Sequence, residues 1–315
     1  MTARVLEAVP NFSEGRDLAV VRAIVAAMRE TGADVLDWSA DPDHHRSVVT
    51  VAGAPNLVED AAVAGAKVAF ERIDLRKHHG VHPRVGALDV LPFVPLAGMT
   101  MADAAEVARR AGHRIATEVG VPVFFYGQAS DPPGRPLQAL RTGGYERLVE
   151  LWPADRIPDV LPDAYAHPGA HPSAGVACVG ARRVLLAWNV WLDGLSLEAA
   201  REVARDLRES RSGLRGVRAL ALWLPTRERI QISMNLEDPE VQSPATVFAA
   251  LEERVVVRGG VVVETEIIGM LPDALLASAA ERYYRLEPGT TQRMLSRRLV
   301  DHLAAHNNSP VTRDE

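Results

Sequence analysis

The stretch Ile73-Asp-Leu-Arg-Lys-His-His-Gly-Val-His-Pro-Arg-Val-Gly-Ala-Leu-Asp-Val90 decides how the chain is read. It closes a segment of helical period, Leu57 to Ile73, and passes through a basic, glycine-bearing loop from Arg76 to Gly86. It then enters Ala87 to Val94, a strand-like run bounded by Pro95. Helix, polar loop and buried strand in this order are the repeating unit of an α/β or α+β protein, whose loops carry the chemistry.

The same alternation extends in both directions. Val5 to Val9 reads as a strand, Pro10 to Gly15 as a turn, and Asp17 as the cap of a helix with Val20, Val21, Ile24, Val25 and Met28 on one face, ended by Gly32. Ala33 to Trp38 and Ser47 to Val51 read as strands joined by the polar loop Asp41-Pro-Asp-His-His-Arg46. Thr100, with Asp103 three residues on, opens a helix that runs to Gly120, and Val121 to Tyr126 follows as a buried strand. From Gln128 to Ala174 proline and glycine become dense and apolar periodicity fades, which predicts a connection between two subdomains. Beyond it, strands are expected at Val184–Val190, Val217–Leu224, Ile230–Leu236 and Val261–Ile268. Helices are expected at Ser196–Arg208 and from Ser243-Pro244 onward. Pro272–Tyr283 and Thr291–Leu303 read as terminal helices, and His306 to Glu315 as a tail.

With 315 residues and a formal net charge of -6, the chain offers no global positive field to gather a polyanion, so nucleic acid is not expected as a partner. Its single cysteine, Cys178, rules out an intrachain disulfide and a cysteine-only zinc site, and its apolar surroundings mark it as core. Met1 to Arg16 lacks the apolar run of a signal peptide and no segment approaches a membrane span, so a cytoplasmic protein is expected.

Chemistry concentrates in Arg76 to Arg84, where His78, His79 and His82 stand among Arg76, Lys77 and Arg84. Neighbouring cations disfavour an imidazolium, so such a histidine stays neutral and competent to accept a proton. A solvated basic loop is the plainer alternative. Gly80 and Pro83 break any helix that would align His78 with His82, and the cations repel a metal ion, so no metal is expected. Asp41 and Asp43 could hydrogen-bond a substrate or simply build a turn. Asn189, inside an apolar strand, needs a partner that is either backbone or ligand. Neither a P-loop nor a dinucleotide fingerprint is present.

Val9-Pro-Asn-Phe-Ser-Glu-Gly15, Asp43-His-His-Arg-Ser-Val48, the Ile73–Val90 stretch, His171-Pro-Ser-Ala-Gly175, Gly180-Ala-Arg182 and Gln231-Ile-Ser-Met-Asn-Leu236 resemble, in order, the motifs of the formiminotransferase domain. The resemblance runs from Val5 to Leu275, with departures at Val81, at Ser39 and in the segment Ala164 to Ala170. It implies an α/β (α+β) fold of two subdomains with facing mixed sheets, helices on the outer faces and a substrate tunnel between them. On this sequence the parts are 1–177, 178–283 and a C-terminal helix and tail, 284–315. The implied reaction moves the formimino group of N-formimino-L-glutamate to tetrahydrofolate, a co-substrate, in histidine degradation and one-carbon metabolism. His82 falls on the family's catalytic histidine, and His171, Pro172, Ser173, Ala174 and Gly175 on its folate-binding stretch. Arg84, Arg76 and Lys77 are assigned to substrate carboxylates, with Asp41, Asp43 and Asn189 as further substrate contacts. An N-formylglutamate donor and a non-catalytic folate-binding protein remain as alternatives. Animal relatives carry a following cyclodeaminase domain; here that activity is expected on a separate protein. Apolar helices and edge strands are compatible with a homodimer.

Overall fold

Proline at position 10 has no N–H to continue a ladder, and there the first strand breaks into two pieces. The computed structural model describes residues 4–150, 156–163, 169–211, 213–239, 242–270 and 284–286, together with 295, 298, 299 and 302. Within it the two pieces are β1 (Leu6–Ala8) and β2 (Asn11–Phe12), both lying between β4 (Arg46–Gly53) and β5 (Leu88–Pro95). The chain path continues through α1 (Leu18–Glu30), β3 (Asp34–Asp41), α2 (Pro55–Arg72), α3 (Met101–Arg114) and β6 (Val123–Gly127). Two short helices, α4 (Leu137–Arg141) and α5 (Gly144–Glu150), precede β7 (Ala177–Ala181).

These seven strands form one sheet in the order β1-β4-β2-β5-β7-β6, with β3 on β4. Pairings are antiparallel except β5–β7 and β6–β7, which are parallel. Parallel strands need a long crossover, and α3 supplies it between β5 and β6. Local chemistry fixes the helix ends. The Asp17 carboxylate accepts from the N–H groups of Ala19 and Val20, and Thr100 and Asp103 form a reciprocal capping box. The helix expected to run unbroken to Gly120 instead passes through a π-turn at Ile115–Val119 before Gly120 ends it at φ 85°.

Small residues let helices approach this sheet. Ala61, Ala66, Ala104, Ala108 and Ala111 pack with Ile24 and Met28 against Leu6, Val49, Val51, Leu91, Phe93 and Val179, all buried. Cys178 is fully buried on β7, where burial pushes its thiol far above the ordinary range, in keeping with a core role.

The second unit contains β8 (Leu186–Asp193), α6 (Leu197–Leu207), β9 (Val217–Leu224), β10 (Arg229–Leu236), α7 (Pro244–Val257) and β11 (Val261–Ile268). Its sheet runs β11-β8-β10-β9, with Trp188 stacked on Phe248 at 5.6 Å in its core. The compact units comprise Met1–Arg183 with Leu224–Arg227, and Val184–Trp223 with Glu228–Glu315.

The stretch 128–174 is therefore not the connection between units. It links β6 to β7, a strand seated inside the first sheet between β5 and β6, and the units divide after Arg183. The expected helices Pro272–Tyr283 and Thr291–Leu303, and the tail from His306, lie outside the described residues apart from 295, 298, 299 and 302. Among the described residues no helix is long and apolar enough to cross a membrane.

Gly86 marks where the basic loop meets the sheet. A Cβ there would stand 2.0 Å from the carbonyl oxygen of Val176, and the residue bridges to Gly175. Gly86→Ala is expected to lower the unfolding free energy by about 1–3 kcal/mol in urea denaturation; an unchanged midpoint would contradict the close approach.

Candidate active site

A bulge sets the site. Asn11 pairs with Val90 and the next residue, Phe12, with Leu88, so Asp89 is the extra residue on β5. Bulges re-aim side chains, and this one places a carboxylate where strand alternation alone would not. Asp89 is fully buried. Its Oδ2 accepts from Arg46 Nη1 at 2.5 Å and Arg141 Nη2 at 2.8 Å, and its Oδ1 from the Val85 N–H at 2.8 Å. Burial raises its pKa, but the two guanidinium groups and these hydrogen bonds outweigh it and hold the carboxyl below its ordinary value. Arg46 also donates through Nε to Asn11 Oδ1 at 3.1 Å, and Asn11 Nδ2 donates to the Val9 carbonyl.

Above this network the Pro83 carbonyl receives both Arg141 Nη2 and His82 Nδ1, the latter at 2.8 Å. A carbonyl only accepts, so Nδ1 carries the proton and Nε2 presents a lone pair. The His82 ring is half-buried and 5.6 Å from the His44 ring. Desolvation, then the charges of Arg46 and Arg141, drive its pKa well below 6.5. The cations that keep His82 neutral are thus Arg46 and Arg141, not the neighbouring Arg76 and Lys77 expected from the sequence.

Two loops meet to hold this histidine. Arg16 donates to the carbonyls of Pro42 and His79, each at 2.9 Å, and the Val81 N–H donates to the Asp43 carbonyl at 3.0 Å. Gly80 is required at the crossing, since a Cβ would lie 2.2 Å from the His44 oxygen. Behind the crossing His45 stacks on His78 at 4.1 Å. His78 Nε2 donates to the His45 carbonyl at 2.7 Å, and His45 Nε2 faces Glu14 Oε1 at 3.1 Å. A cavity of about 190 Å³ lined by Glu14, His45, Asp74, Lys77 and His78 lies on this rear side; His82 does not line it.

The other expected residues divide. Arg84 is taken by Glu146 Oε1 at 2.7 Å and the His78 carbonyl at 3.1 Å. Arg76 makes two hydrogen bonds to Asp74, and Lys77 lies 3.9 Å from the same carboxylate, both cations exposed. Asp41 spends Oδ1 on the N–H groups of Asp43 and His44, building the turn, while Asp43 is buried. Asn189 sits on β8 in the second unit and donates to Glu266 Oε2 at 3.2 Å, a side-chain partner rather than backbone.

In the 171–175 loop, the Ser173 and Ala174 carbonyls accept from Leu75 and Ala87, so this stretch straps both ends of the His82 loop. Gly175, at φ 69°, is pressed against the Val85 carbonyl: its close approach is to the chain itself. Ala174 is buried and His171 Nδ1 accepts from the Ala174 N–H, leaving Pro172 exposed and Ser173 half-exposed. The sequence reading missed Asp89, Arg46, Arg141, Asn11 and Glu14. Asp89 carried the same signal as Asn189, a polar residue inside an apolar strand.

The loop clamp has a pH signature. Burial chiefly lowers His78 to about 4. Burial would raise Glu14, but hydrogen bonds from His45 and from the Arg16 and Asp17 N–H groups bring it to about 2. Both groups hold fewer protons folded than unfolded, so their stabilisation is complete above pH 6.5. It is lost first as pH falls from 6.5 toward 4, then from 4.5 toward 2. The His78 share is on the order of 3 kcal/mol by pH 4; urea midpoints of His78→Gln should lack that acid loss, and an identical pH dependence would contradict it.

Against known proteins, residues 5–182 match the formiminotransferase domain, N-terminal subdomain, and residues 187–302 match the formiminotransferase domain. The break between these matches falls beside the division after Arg183. A glutamate formimidoyltransferase from Streptococcus pyogenes serotype M1 is 37% identical, over 90% of this chain and 95% of its own length. One from Thermoplasma acidophilum is 36% identical over 93% and 97%. The formimidoyltransferase-cyclodeaminase of Sus scrofa is 40% identical over 90% of this chain, which spans about half of that longer protein, 53%. Two matched domains covering most of the chain, and relatives of this identity along its length, make it a member of the formiminotransferase-domain family.

Proposed function

We propose that this chain transfers the formimino group from N-formimino-L-glutamate to N5 of tetrahydrofolate, with His82 as the acid/base. The observation that carries the assignment of His82 is its hydrogen bond to the Pro83 carbonyl, which leaves Nε2 unprotonated in a cationic setting. N5 attacks the formimino carbon as the C=N π pair moves onto the formimino nitrogen, giving a tetrahedral adduct; that pair returns to rebuild the double bond when the glutamate nitrogen leaves. His82 Nε2 takes the N5 proton. The same proton then passes to the glutamate nitrogen as the carbon–nitrogen bond to it breaks, the bonding pair going to that nitrogen. His82 ends neutral, ready for another cycle.

A low pKa keeps the ring neutral and open to the N5 proton, and it favours the return. Once protonated, an imidazolium beside Arg46 and Arg141 is a strong acid and gives its proton up readily to an amine leaving group. Pro172 and Ser173 are the members of the expected folate-binding stretch that we propose meet the pterin, since Ala174 and Gly175 are engaged with the chain's own backbone.

Purified protein with tetrahydrofolate and N-formimino-L-glutamate should produce 5-formimidoyltetrahydrofolate, followed by absorbance, and N-formylglutamate should serve poorly beside it. Folate binding without turnover of either donor would overturn the reading. His82→Ala should lower kcat by about 10²–10⁴-fold with the fold intact by circular dichroism; wild-type turnover in that variant would remove His82 from the chemistry.

A further inference from the structure

Two guanidinium groups and one carboxylate meet beneath His82, leaving one positive charge in excess. It lies where the side chains of Arg46 and Arg141 retain only 11% and 16% of their exposure. Glu14 and Glu146, carboxylates of the surrounding segments, are engaged by His45 and Arg84. The hydrogen bonds tell the same story. Arg46 uses Nε on Asn11 and Nη1 on Asp89, and its Nη2 meets no partner among the described residues. Arg141 spends Nη2 on both Pro83 and Asp89; its Nη1 makes no hydrogen bond among the described residues, and its Nε is buried without one. An uncompensated buried cation is costly, and such arrangements persist where a ligand completes them. A planar carboxylate is the chemical complement of guanidinium donors held side by side.

We infer that Arg46 and Arg141 hold the α-carboxylate of the glutamate-bearing donor, an inference that rests on the transfer reading above. The departing nitrogen and the α-carboxylate share one carbon of the donor, and Arg141 and His82 share the Pro83 carbonyl. Fixing the carboxylate on the arginines therefore sets the leaving nitrogen against His82 Nε2. Arg76 and Lys77, exposed and paired with Asp74, have no part in this.

The test pairs ligand and protein variants on the full chain. Calorimetric titration should show L-glutamate and L-glutamine, which keep the α-carboxylate, binding the wild type, with L-isoglutamine, the α-amide, at least about tenfold weaker. Arg141→Lys preserves a cation for Asp89. It should weaken L-glutamate about tenfold and raise the donor KM by a similar factor, with kcat within about threefold and tetrahydrofolate binding unchanged. The double variant R76A/K77A should match the wild type. The inference is overturned by L-isoglutamine binding as tightly as L-glutamate, by wild-type affinity in Arg141→Lys, by a loss confined to kcat, or by no L-glutamate binding at all. A chain that binds these ligands in the expected order yet transfers no formimino group would overturn the transfer reading and leave the carboxylate site standing.

Discussion

The carboxylate of Asp89, fully buried between two arginines, is the interaction on which the rest of this site depends. It ties β5 to β4 through Arg46, to α4 through Arg141, and to the end of the basic loop through the Val85 N–H. Removing it would leave two largely buried guanidinium groups without their carboxylate, a class of change that costs about 3–5 kcal/mol. The bulge between β2 and β5 exists in the same place, so backbone irregularity and buried charge are one device.

From that device follows a division of labour between the two faces of the crossing loops. On one side His82, near His44, has an Nε2 that makes no hydrogen bond among the described residues, and a low pKa. On the other, His45 and His78 stack, with His45 Nε2 on Glu14 and His78 Nε2 on the His45 carbonyl. Four of the five histidines in these two short motifs thus sit in different surroundings. Which is which depends on the carbonyl or carboxylate each nitrogen meets, not on the composition of the loop.

Much of the framework was legible in the sequence because it is local. Asp17, the Thr100–Asp103 pair, and the strand Val261–Ile268 appear where capping and β-branched patterning put them. What escaped is non-local. Nothing in the text of 128–174 says that the chain returns to insert β7 between β5 and β6, because strand order is a tertiary choice. The same holds for the site. Arg76, Lys77 and Arg84 are neighbours of His82 in sequence, yet Asp74 and Glu146 occupy them. Arg46 and Arg141, distant in sequence, are the cations that reach it. Proximity along a loop points to the cations beside His82 in sequence, whereas the charges that act on its ring come from Arg46 and Arg141.

The account turns on the protonation state of His82, and nitrogen-15 NMR of the histidine rings reads it directly. The signals of His82, assigned by their absence from His82→Gln, should report a proton on Nδ1 and none on Nε2, and that neutral state should persist as the pH is taken well below 6.5. A proton on Nε2 in the neutral ring, or titration at or above 6.5, would contradict the account.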